Sequence, residues 1–121
     1  MNEHGETVGA ADHCNDVRLV GRLSGDAVER TLPSGDPLVT WRLVIRRPQA
    51  PRAGPPVDTI DCMAWAAGIR RKAMGWSAGD VIECEGSLRR RFWRTAGAAV
   101  SRFEVEVTRA TRMKPTRGQS S

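Results

Sequence analysis

A chain of 121 residues that is 40% apolar has the size of one folded domain, and no run of apolar residues reaches the length of a membrane span. Formal net charge is +5, but residues 1–16 carry Glu3, Glu6, Asp12 and Asp16 and no Lys or Arg, which leaves 19 Lys and Arg against 10 acidic side chains in the remainder. That balance suits a polyanionic partner, and the polar, acidic N-terminus lacks the basic start and apolar run of a secretory signal, so a cytoplasmic protein is expected.

Residues 1–14 are polar, contain glycine and show no period, and are expected to be disordered. The first strand is expected from Asn15, where Val17, Leu19, Gly21 and Leu23 share one parity and Arg18 and Arg22 the other. Gly21 in mid-strand marks a bend or bulge. Ser24 to Asp26 form a turn, and Pro33-Ser34-Gly35 forms another. The second strand, residues 38–47, turns Val39, Trp41, Leu43 and Ile45 inward and Thr40, Arg42 and Arg46 outward. Four prolines between Arg47 and Pro56 exclude a central strand and predict a long exposed hairpin loop.

The third strand, residues 57–65, places Ile60, Cys62 and Ala64 on one face and Thr59, Asp61, Met63 and Trp65 on the other. Residues 66–78 are the one helix candidate, with Ile69, Ala73 and Trp76 on a stripe, Arg70, Arg71 and Lys72 off it, and Gly79 as its stop. The fourth strand, residues 81–94, sets Ile82, Cys84, Gly86, Leu88 and Phe92 inward and Arg89, Arg91 and Trp93 outward. A small-residue loop, residues 95–99, leads to a fifth strand, residues 100–109, with Phe103, Val105 and Val107 inward. Residues 114–121 form a polar, basic tail, expected to be disordered, so the domain proper is residues 15–113.

Three strands, one helix and two strands are the order of an OB-fold, an all-β, five-stranded Greek-key barrel with its helix between strands 3 and 4. Cys62 and Cys84 fall at inward parity and read as buried thiols, while Cys14, His4 and His13 lie in the N-terminal tail. No cysteine pair has metal-ligand spacing, so neither a metal nor another cofactor is expected. All basic residues except Lys72 and Lys114 are arginine. Arginine bonds phosphate bidentately and stacks on bases, although a codon bias produces the same excess.

Several segments resemble the bacterial single-stranded DNA-binding protein family. Asn15-Asp16-Val17-Arg18-Leu19-Val20-Gly21-Arg22-Leu23 is similar to its opening strand, and Leu32-Pro33-Ser34-Gly35-Asp36 to its first hairpin turn. The spacing from Trp65 to Gly79, the run Glu85-Gly86-Ser87-Leu88-Arg89-Arg90-Arg91-Phe92-Trp93, and Glu104-Val105-Glu106-Val107 complete the likeness. The resemblance implies an OB-fold, a homotetramer, and binding of single-stranded DNA without sequence preference in replication, recombination or repair, close to the nucleoid. Thr59 stands where family members often carry Trp, Asp61 where a basic residue is common, and no aromatic occurs in the proline-rich loop. The basic end at Ser121 lacks the family's acidic, aromatic tip, which implies a specialised paralogue without the protein recruitment that the tip mediates.

An unpaired strand offers phosphates and open base faces, so a general binder needs guanidinium groups and exposed flat rings. Trp93, Trp65, Arg89, Arg91 and Met63 share outward parities and form the expected surface, if their strands are neighbours. Arg18, Arg22, Arg42 and Arg46 either line the path of the strand or face solvent. Trp41, Trp76 and Phe92 are assigned to the core. Asp61 beside this surface is expected to weaken phosphate binding. An OB-fold interaction subunit and an RNA-binding module are the alternatives. No phosphate-cradling loop, carboxylate pair or nucleophile set indicates an enzyme.

Overall fold

The structure, a computed structural model, describes residues 12–48 and 56–113. The expected tails and the proline-rich loop with Arg52 fall largely on residues 1–11, 49–55 and 114–121, which lie outside the described residues. In chain order the elements are β1 (Val17–Leu23), β2 (Val28–Thr31), β3 (Pro37–Arg46), β4 (Val57–Ala64), α1 (Ala67–Ala73), β5 (Val81–Thr95) and β6 (Ala98–Arg112).

The strands run β1-β5-β6-β4-β3-β2, and a further pairing of β1 with β3 closes five of them into a barrel. Closure rests on Arg22 opposite Val44 and Leu23 opposite Leu43. The second seam is the short parallel pairing of β4 with β6, Cys62 opposite Val105 and Met63 opposite Glu106. This is the five-stranded OB barrel with its helix after the third barrel strand. The short β2 was not foreseen. All four of its residues are exposed, so it carries no alternation, and its ladder to β3, from Val28 opposite Thr40 to Thr31 opposite Pro37, is what defines it.

The alternating residues fill the barrel. Val39, Leu43, Cys62, Ile82, Cys84, Val105 and Val107 are all at 2% exposure or less. Burying an aliphatic side chain of this kind stabilises by roughly 1.5–3 kcal/mol. Trp41 and Trp76 meet edge to face, centroids 5.2 Å apart, and plug one end with Ile69 and Ala73 of α1. Gly21 is where β1 crosses β3: a Cβ there would lie 2.8 Å from the Val44 carbonyl oxygen and 2.7 Å from Ile45. The bend expected at this glycine is thus a close approach of two backbones.

The helix is shorter than the stripe suggested. It ends at Ala73, and the chain tightens through the bonds Gly75 N to Lys72 O and Trp76 N to Ala73 O. Trp76 therefore reaches the core from a turn, and Gly79, at φ +95°, belongs to the next turn and does not cap the helix. Lys72 Nζ donates to Ala110 O at 2.6 Å and Arg70 Nη1 to Trp65 O at 2.9 Å, so two of the helix cations tie it to the barrel.

The largest departure is the β5–β6 hairpin. Both strands are 15 residues long and join through Ala96 and Gly97, at φ 48° and 81°, where a loop was expected. Between Glu85 and Gly86 the register shifts, with Gly86 opposite Val107 and Glu85 opposite Arg109. Beyond Leu88 and Val105 the hairpin leaves the barrel as an arm. Leu88, Phe103 and Phe92 keep the inward parity but have no core to enter, and stand 44%, 56% and 70% exposed. The assignment of these three to the interior is thereby corrected.

Candidate nucleic-acid interface

The expected neighbours are not adjacent. β6 lies between β4 and β5, so Arg102, Glu104 and Glu106 separate Arg89 and Arg91 from Asp61. The register sets these groups on one outer wall: Arg91 opposite Arg102, Arg89 opposite Glu104, Met63 opposite Glu106 and Arg42 opposite Asp61. Antiparallel pairing points directly opposed side chains to the same face. A groove of about 400 Å³ runs along this wall, between the bend joining β1 to β2 and the base of the β5–β6 arm.

Arginines and carboxylates alternate across the wall. Arg42 Nε donates to Asp61 Oδ1 at 3.0 Å, and Arg102 Nη1 lies 3.9 Å from Asp61 Oδ2. Arg91 Nε pairs with Glu104 at 3.1 Å and Arg89 Nε with Glu106 at 2.9 Å. The Glu104 side chain is only 7% exposed, so its charge depends on Arg91. The pair is buried on one side only, since Arg91 keeps 42% of its side chain exposed, so its loss costs less than breaking a fully buried pair. Arg91 is therefore part of the fold as well as of the surface, whereas Arg89, with 57% of its side chain exposed, is available to an incoming anion.

Trp93 is 41% exposed near the far end of β5, and the Arg102 guanidinium sits 5.7 Å from its ring centroid. Ring and cation thus form one platform contiguous with the groove. Trp65 is half-buried just past β4, outside the groove lining. Met63 is corrected. It is 1% exposed and forms the groove floor with Leu38, at 4%. Its parity is outward as expected, but it lies at the bottom of the groove with almost no surface of its own.

Of the remaining arginines, Arg42 lines the groove. Arg18 pairs with Glu83 at 2.6 Å on the β1–β5 wall, and Arg22 and Arg46 are exposed outside the groove lining. Arg47, at the proline-rich loop, grips Asp58 through Nη2 at 2.7 Å, and that hydrogen bond holds the Asp58 carboxyl below its usual range. Sequence reasoning missed Arg102, Glu104 and Arg30 as groove residues, and Glu106 as a residue of the same wall. By parity Arg102, Glu104 and Glu106 belong together. The alternation of the last strand, with Val105 and Val107 inward, already set these three outward. What it did not show was which strand β6 would lie beside.

The residues that build this wall fall within the 14–113 match of the chain to the model of the single-strand binding protein family. A single-stranded DNA-binding protein of Aquifex aeolicus is 30% identical over 94 residues. That alignment takes in 75% of this chain, which spans 64% of the length of the relative. Among solved structures, the Plasmodium falciparum SSB complex with ssDNA shares the fold, with a TM-score of 0.71 at 19% identity over 94% of this chain and 100% of that one.

Proposed function

Since the chain belongs to the single-strand binding protein family, we propose that it binds single-stranded DNA along the β3–β4–β6 wall, without catalysis. The observation that carries this reading is the contiguity of the groove with the Trp93–Arg102 platform. Bases stack on Trp93, and phosphates are drawn to Arg89, Arg42 and Arg102, which exchange carboxylate partners for the strand. Stacking on one aromatic ring contributes about 1–3 kcal/mol per base and tolerates any base. The role is the protection or hand-over of unpaired DNA in replication, recombination or repair, inside the cytoplasm.

Copies of the chain associate, as a tetramer on this reading. The support is the apolar face of the hairpin arm, where Arg90 lies 5.1 Å from the Phe92 centroid and 5.2 Å from that of Phe103, with both rings more than half exposed. Contiguous apolar surface of this kind marks an interaction site.

The test is titration of tryptophan fluorescence with oligo-dT at several salt concentrations, beside light scattering. Quenching that weakens with salt supports the reading. No quenching with an intact fold overturns it, and stronger binding to a matched RNA reassigns the ligand. Scattering at the monomer mass overturns the association.

A further inference from the structure

Phosphate recognition needs guanidinium groups, yet a part-exposed carboxylate of the groove, Asp61, sits between two of them. Asp61 keeps 31% of its side chain exposed, and Arg42 and Arg102 keep 56% and 55%. Among the described residues one short hydrogen bond, from Arg42, engages this carboxylate, since the Arg102 contact at 3.9 Å is longer than a hydrogen bond. An ionised carboxylate has about four acceptor positions, so Asp61 retains acceptor capacity toward the groove. Below it, Met63 and Leu38 provide an apolar floor. The site therefore pairs an acceptor with flanking donors in a groove whose base is apolar.

The four DNA bases differ in how they match this set. Guanine carries two adjacent donors, N1–H and the N2 amino group, beside the acceptors O6 and N7. Adenine and cytosine each set a single amino donor next to a ring acceptor, which a carboxylate repels. Thymine has one N–H between two carbonyls. We propose that the groove is a guanine-reading subsite for an unpaired strand, an inference that rests on the single-stranded DNA reading above. Asp61 accepts from N1–H and the N2 amino group, and Arg42 and Arg102 donate to O6 or N7. Arg102 links the subsite to the stack on Trp93.

The experiment compares oligo-dT of about 15 nucleotides, within the range of one OB-fold site, with the same strand carrying one central dG, dI, dA or dC. The dG strand is expected to bind about fivefold or more tighter than oligo-dT, as for one bidentate base contact. The dI strand, which lacks the N2 amino group, loses part of the gain. Asp61→Ala removes the gain of the dG strand over oligo-dT. Asp58→Asn, which also deletes a carboxylate but outside the groove, retains it. A dG strand no tighter than dT, or a gain that survives Asp61→Ala, overturns the subsite and leaves general binding standing. Failure of all the strands to bind overturns the underlying reading instead.

Discussion

Trp93 and Asp61 have opposite consequences for an unpaired strand, and each is separable by substitution. Trp41 and Trp76 are buried against each other, so any fluorescence change on adding DNA reports Trp93 and, secondarily, Trp65. Trp93→Phe should remove most of the quenching while retaining affinity, and Trp93→Ala should weaken oligo-dT binding about tenfold or more. Quenching that persists in Trp93→Phe would move the platform to Trp65. Asp61→Arg exchanges a carboxylate for a cation beside the path of the phosphates. Each charge is worth about 1 kcal/mol near 4 Å in water, so oligo-dT binding should tighten about tenfold at low salt and less at high salt. Equal or weaker binding in a titration would show that phosphates pass elsewhere. The thiols differ in the same local way. Hydrogen bonding to Cys84 and burial push the Cys62 thiol far up, while Cys14 is exposed. Alkylation of the native protein at mildly alkaline pH should give one adduct by mass spectrometry, and three after unfolding.

The β5–β6 hairpin is the element on which function and stability diverge. Its two-residue turn holds Ala96 at φ 48°, a conformation that costs a residue with a Cβ about 1–2 kcal/mol. Asn-Gly is the preferred pair for a turn with both central residues at positive φ. Ala96→Asn should therefore stabilise the arm by about 1 kcal/mol, seen as slower amide exchange of residues flanking the turn. Unchanged exchange would mean that opening of the arm does not depend on the turn. At the base of the arm a Cβ on Gly86 would fall on the Glu106 carbonyl. Backbone cannot yield as a flexible side chain can, so Gly86→Ala should lower thermal stability by about 2 kcal/mol or more. The hairpin was legible as two strands from the parity of Ile82, Cys84, Val105 and Val107. Its length was not, because alternation continues through Leu88, Phe92 and Phe103 after the barrel has ended.

Across the whole molecule, the paired arrangement of the wall governs the response to salt. Four arginines on it, Arg42, Arg89, Arg91 and Arg102, already face carboxylates. A single strand releases about 0.7 counterions per neutralised phosphate. Even full engagement of all four then gives a log–log salt slope no steeper than about −3 for one protomer, and a steeper slope in a titration would place the main contacts outside the groove. The barrel strands, the place of the helix and most of the interior are legible in the residue pattern alone. Inward sets such as Val39, Trp41 and Leu43, or Ile82 and Cys84, follow from the two-residue repeat of a strand, and burial of apolar surface admits few arrangements of them. What lies over the outer face follows from the order of the strands in space. Parity states which wall a residue joins, and strand order states what covers that wall. Met63 became a floor and Phe92 a surface for that reason, and the insertion of β6 between β4 and β5 turned an expected arginine stripe into alternating charges.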